Sequence, residues 1–299
     1  MEKDKGFKRI LFAVNASEHS AAAVPVVVAV AAASHADVRV LHVWSPNDAR
    51  LGRHHEVPGV LQESALVDAI VDRLKAAGIF ADAESSAAMS DQVASTIRDR
   101  ADWYDADLIA IGNRGLSDLH NILVPSRTQQ VLGQADRPVL AVRQTGHRAG
   151  KVLRRIVLAL DGDADNACAL QACVDLASPS AAEVEVIHFG NGNDPQIRAV
   201  VTCLADHGLT ATWQRSPDHS HPADEIISAV ARAKADIVII GARQTAPWSI
   251  FVGDVTLRVL GSCPCPVLVS PRPGLTSVAC TPLDQVDWSP ASGLHPAAG

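Results

Sequence analysis

The sequence predicts an α/β fold made of two repeated, open, parallel, doubly wound sheets. Three observations carry this expectation. The chain has 299 residues, which suits two domains of roughly 150 residues each. Short unbroken apolar runs alternate with Ala- and Val-rich stretches of helical length. Three segments also recur in the same order in both halves. Lys8-Arg-Ile-Leu-Phe-Ala-Val-Asn15 pairs with Arg154-Arg-Ile-Val-Leu-Ala-Leu-Asp161. Leu108-Ile-Ala-Ile-Gly112-Asn-Arg114 pairs with Ile237-Val-Ile-Ile-Gly241-Ala-Arg243. Arg137-Pro-Val-Leu-Ala-Val-Arg143 pairs with Cys265-Pro-Val-Leu-Val-Ser270.

The elements follow in order. Residues 10–14 are an unbroken apolar run, as expected of a strand covered on both faces. Ser17 can cap the next helix, over about 18–35. Residues 38–44 read as a second strand. Residues 45–60, with Pro46, Gly52 and Pro58, read as a loop, and 64–77 as a second helix. A third strand at 79–85 and a third helix at 90–104 come next. A fourth strand at 108–111 runs into the glycine turn Gly112-Asn-Arg-Gly115. A last helix at 128–135 and a fifth strand at 139–142 complete the half. The second half repeats the scheme, with strands near 155–160, 184–189, 209–214, 237–240 and 266–269. Alternating strands and helices imply right-handed crossovers and helices on both faces of the sheet. The domains are expected at 1–145 and 152–271, joined by a linker at about 144–152. Residues 272–299 lose periodicity and hold several Pro and Gly, so a disordered or loosely docked tail is expected.

Composition excludes several classes. Hydrophobic residues make up 47% and charged residues 20%, enough apolar surface to build cores. The net charge of −7 does not suit general nucleic-acid binding. The first 150 residues carry 16 basic and 18 acidic side chains, and the rest carry 10 and 15. An anion site is therefore easier to place in the first half. No apolar signal segment follows the charged opening, and no run is long enough to span a bilayer, so a cytoplasmic location without membrane contact is expected. Six cysteines are too sparse for a disulfide scaffold, and all six read as ordinary residues of a reducing compartment. Cys263-Pro-Cys265 is not a zinc CxxC, and His219-Ser-His221 lacks further ligands.

The sharpest local signal is Gly112-Asn-Arg-Gly115, nine residues, then Pro125-Ser-Arg-Thr128. It follows a buried strand and opens a helix. Glycines let backbone approach a phosphate, and N–H groups at a helix N-terminus bind the anion. The Ser126 and Thr128 hydroxyls can add hydrogen bonds. Ligands of open parallel sheets sit beyond the carboxyl ends of the strands, where the Asn15 and Gly112 turns fall.

These segments, in order and in duplicate over residues 5–272, resemble a tandem universal stress protein. His221-Pro-Ala-Asp-Glu-Ile-Ile227, Pro138-Val-Leu and Pro266-Val-Leu add to the resemblance. It implies Rossmann-like, adenine nucleotide alpha hydrolase-like domains. Nucleotide-binding members of that family carry an Asp ending the first strand, then G-x-x-G, nine residues, Gly and Ser or Thr. Carried over by position, Ala13, Val14 and Asn15 would lie near adenine and ribose, and Val43 would line the adenine pocket. Gly112, Arg114, Gly115, Ser126, Arg127 and Thr128 would surround the phosphates. Asp161, Gly241, Arg243 and Gly253 would make a second, weaker site.

Departures from the family pattern occur in both halves. Asn15 stands for the Asp, and Pro125 for the Gly. In the second half Gln244 stands for the second glycine, and Asp254 stands where Ser or Thr belongs. The resemblance implies ATP as ligand, with Mg2+ as a candidate companion. It implies a stress-response protein acting through ligand-dependent conformation or partner interaction, with no enzymatic role beyond weak ATP hydrolysis. The alternative is a structural or interaction module, without nucleotide, whose pockets have decayed. The family dimerises through its last strand, so the two halves are expected to pair internally, 139–142 against 267–269, with a homodimer as a further candidate.

Overall fold

The computed structural model describes residues 6–15, 18–44, 58–113, 127–143, 152–161, 166–189, 195–216, 220–241 and 253–271. The first half runs β1 (Arg9–Val14), α1 (Glu18–Ser34), β2 (Asp37–Trp44), α2 (Pro58–Ala76), β3 (Ala81–Ala87), α3 (Val93–Tyr104), β4 (Leu108–Asn113), α4 (Arg127–Gln134) and β5 (Val139–Arg143). The second runs β6 (Arg155–Leu160), α5 (Ala167–Ala177), a 3-10 turn (Ser178–Ser180), β7 (Glu183–His188), α6 (Pro195–Asp206), β8 (Ala211–Arg215), α7 (Pro222–Ala233), β9 (Ile237–Gly241), α8 (Asp254–Ser262) and β10 (Val267–Ser270).

All ten strands join one sheet, in the order β3-β2-β1-β4-β5-β10-β9-β6-β7-β8. Within each half every pairing is parallel. The halves meet at the antiparallel pair β5 and β10, with Leu140 opposite Leu268 and Val139 opposite Val269. These are the segments expected to pair, so the sheet runs unbroken across the joint.

Successive side chains of a strand point to opposite faces. Ile10, Phe12 and Val14 accordingly enter one core, and Leu11 and Ala13 the other. The first core takes its helical residues from α1, α2, α5 and α6. The second takes them from α3, α4, α7 and α8. Each core therefore spans both halves, and each face of the sheet carries two helices from each.

The repeat reaches local devices. Asp107 accepts the backbone N–H groups of Lys8 at 2.6 Å and Arg9 at 3.1 Å. Asp236 accepts those of Arg154 at 2.8 Å and Arg155 at 2.9 Å. Burial pushes the Asp107 carboxyl up from its ordinary pKa, against the pull of these N–H bonds. Asp105 (φ 53) and Lys234 (φ 50) end α3 and α7 in the left-handed conformation.

Three expectations are corrected. Residues 58–60 belong to α2 rather than to a loop, because proline suits the first turn of a helix, where its missing N–H has no partner to lose. Gly112 and Asn113 continue β4 rather than turning, because Val142 and Arg143 of β5 pair with them. Cys168 is disulfide-bonded, so the six cysteines are not all free thiols. Ser17, the linker over 144–151 and the tail over 272–299 lie outside the described residues.

Candidate ligand site at the carboxyl edge of the first half

β1 is flanked by β2 on one side and β4 on the other. The helix after β1 packs on one face of the sheet and those flanking β4 on the other. Chains that leave to opposite faces open a crevice beyond the strand ends, and this switch point is where open α/β sheets bind ligands.

The crevice starts at Asn15. Its backbone N–H donates to Ser20 Oγ at 3.0 Å, and the Ser20 hydroxyl donates back to Asn15 Oδ1 at 2.8 Å. Ser20 is buried in the first turn of α1. The closed pair ties the end of β1 to the first turn of α1.

A cavity of about 70 Å³ lies here. Ala13, Val14, Asn15, Val43, Gly112, Arg127 and Thr128 all line it. These residues come from β1, β2, β4 and α4, so the fold brings together positions up to 115 apart in sequence. Arg114, Gly115 and Ser126 lie outside the described residues. Sequence reasoning missed Ser20, Val93, Ile97, Ile111 and Val131, which complete the lining. A signal existed for the apolar pair: Val93 and Ile97 are four apart on α3 and share a helix face. Ser20 carried none, because its role depends on how the turn folds back.

The walls divide by chemistry. Val43, Val93, Ile97, Ile111 and Val131 form an apolar side. Asn15, Ser20, Arg127 and Thr128 form a polar one. Arg127 and Thr128 open α4, whose free N–H groups and dipole favour negative charge. Pockets that enclose a drug-sized ligand are about 300–1,000 Å³, more than this cavity holds.

The far side of the edge is tied to the second half. Asn113, buried at the end of β4, donates from Nδ2 to the Leu260 carbonyl in α8 at 3.0 Å. Arg143, at the end of β5, donates from Nη1 to the Gly261 carbonyl.

The equivalent second-half positions differ. Asp161 follows β6 and is half-buried, and Gly241 ends β9 with open space around its missing Cβ. Gly253 precedes α8 in extended conformation, and Asp254 opens that helix, exposed. A carboxylate already stands at this helix N-terminus, where an anion would bind. Arg243 lies outside the described residues. Among the described residues, no three His, Cys, Asp or Glu side chains gather as a metal site. No helix of the described residues is long and apolar enough to cross a membrane.

Comparison with known proteins gives a consistent result. The model of the universal stress protein family matches residues 6–143 and 207–271. A 146-residue stretch is 32% identical to the universal stress protein in the QAH/OAS sulfhydrylase 3′ region of Thermus aquaticus, covering 46% of this chain and 99% of that one. A universal stress protein of Mycolicibacterium smegmatis is 25% identical over 197 residues, covering 60% of this chain and 66% of the relative. Among solved structures, a universal stress protein from Archaeoglobus fulgidus superposes with a TM-score of 0.72 at 19% identity, covering 90% of this chain and 97% of that one.

Proposed function

The chain belongs to the universal stress protein family, and from that premise we propose that its first half binds an adenine nucleotide, ATP by preference. The observation that carries this is the shared cavity. Seven residues picked from separate sequence motifs line one crevice at the switch point of the sheet. The apolar side formed by Val43, Ile97 and Ile111 suits a purine base. Asn15, at the end of β1, suits a ribose hydroxyl. Arg127, Thr128 and the start of α4 suit phosphate. Any Mg2+ would arrive with the phosphates. The protein is read as a cytoplasmic stress-response component that works by changing conformation or partner when the nucleotide binds. The reading includes no catalytic residue. The domain limits 1–145 and 152–271 and the weaker second site at Asp161, Gly241, Arg243 and Gly253 remain part of it.

The test is to denature the purified protein and identify released small molecules by mass spectrometry, with a thermal-shift titration against ATP. Released adenine nucleotide, or a melting point that rises with ATP, is the expected result. If nothing is released and ATP does not raise the melting point, the reading is overturned. A second reading, an interaction module without nucleotide, is favoured by one observation: Asn15 Oδ1 is already taken by Ser20.

A further inference from the structure

Cys263, Pro264 and Cys265 join the end of α8 to the start of β10. Positions two apart on extended backbone share a face, and Cys263 is extended, with φ −64 and ψ 135. The result is a vicinal dithiol with the two Sγ atoms 3.6 Å apart. A disulfide bond is about 2.05 Å long, so the sulfurs need to close by only about 1.5 Å.

We propose that Cys263 and Cys265 form a redox-active dithiol, which a hydroperoxide converts to an intramolecular disulfide. In the first step the Cys263 thiolate attacks one peroxide oxygen. The O–O bond breaks, giving a sulfenic acid on Cys263 and, after protonation, water. In the second step the Cys265 sulfur, having lost its proton, attacks the sulfenic sulfur. The S–O bond breaks and the hydroxide leaves with that proton as a second water. Two thiols and one hydrogen peroxide thus give one disulfide and two waters. A dithiol reductant reverses the change by thiol–disulfide exchange.

Three features support the assignment. Cys263 accepts the hydrogen bond of its neighbour's thiol and lies near the Arg143 guanidinium, and both pull its pKa below the ordinary thiol value. The thiolate is the attacking form, so Cys263 takes the first step and Cys265, whose pKa is raised by the same bond, resolves it. Burial pushes the free thiols Cys173 and Cys203 up instead, which makes them poor competitors. Both members of the pair are only 1% exposed, so the oxidant has to be small.

The location gives the chemistry a reach. Leu260 and Gly261, which receive Asn113 and Arg143 from the first half, lie three and two residues before Cys263. Closing the bond pulls on the turn that ties the two halves together.

The test uses the full chain, fully reduced, treated folded with one equivalent of hydrogen peroxide. Remaining thiols are alkylated and peptides mapped by mass. The peptide carrying both residues is expected to have lost two hydrogens and to take no alkyl group until reduced. In Cys265→Ser, dimedone is expected to trap a sulfenic acid at Cys263. If both cysteines stay alkylatable while other thiols oxidise, or the disulfide forms only after unfolding in urea, the proposal fails. The mapping of the unmodified chain decides the matter even if the substitution prevents folding.

Discussion

The two carboxyl edges of the sheet share a backbone and differ in charge. In the first half β1 ends on a neutral Asn15 locked to Ser20, and α4 opens on Arg127. In the second, β6 is followed by Asp161, and α8 opens on Asp254. Strand register, helix placement and even the carboxylates of Asp107 and Asp236 are held in common. The two halves thus agree in what the sheet needs and differ in the charge at its carboxyl edges. Two unit charges about 4 Å apart interact by roughly 4 kcal/mol at an effective dielectric near 20. A carboxylate at a helix N-terminus therefore opposes an anion brought within that reach.

The largest test addresses what the halves share. Leu140 and Leu268 face each other across the joint and are fully buried. Replacing either by Ala should lower stability by about 2–5 kcal/mol in urea unfolding, with similar values at the two sites. A large inequality would break the view of one scaffold used twice. Next is a position where the halves differ. Gly6, two residues before the Lys8 segment, has φ +106 and lies 2.8 Å, by the Cβ it lacks, from Pro179. Its counterpart, Val152, is 53% exposed. Gly6→Val should cost about 1–3 kcal/mol, while Val152→Gly should stay within about 0.5 kcal/mol. Equal losses would mean that the contact with Pro179 carries nothing.

A third test transfers the charge of one edge to the other. Arg127→Asp should weaken ATP binding by about tenfold or more, equivalent to about 1.4 kcal/mol, with the melting point of the free protein little changed. Unaltered ATP response would remove Arg127 from the site. The smallest effect concerns β2, next to the outer strand β3. Arg39 lies 4.4 Å from the Tyr104 ring centroid and is paired with Asp82 at 2.7 Å. Glu185 stands at the matching place in the second half and takes a hydrogen bond from Gln214. Burial, with help from Asp37 and Asp82, pushes the Tyr104 phenol up to about 12. Because the folded value lies above the unfolded value of about 10, the neutral phenol's contribution is complete below pH 10 and fades as pH climbs toward 12. Tyr104 is the only tyrosine, so the phenolate absorbance reads it alone. A midpoint near 10 in the folded protein would overturn this.

Much of the scaffold was legible. Runs such as residues 10–14 are apolar on both faces because helices cover both faces, and that leaves a plain trace in sequence. The joint was legible through resemblance: the last strand of each half repeats. What failed was wherever a distant partner overrode a local signal. Gly112 reads as a turn, yet Val142 keeps it in β4. Pro58 fails for a local reason instead: it reads as a breaker, yet proline suits the first turn of the helix it begins. In the site, positions at strand ends were found, whereas Ser20 was not, since its worth comes from a return contact five residues back. Cys263 and Cys265 read as ordinary residues of a reducing compartment, although spacing of two before a strand already places them on one face.

The antiparallel joint of β5 and β10 has an evolutionary consequence. A homodimer built on its last strand meets a copy of itself, so each substitution appears on both sides of the seam at once. Here the two sides of the seam are separate stretches of one chain. Arg143 can reach for Gly261 without any matching reach in return, and Cys263 can gain a partner that its counterpart, Ala135, never needs. The two sides of the seam are thus able to differ.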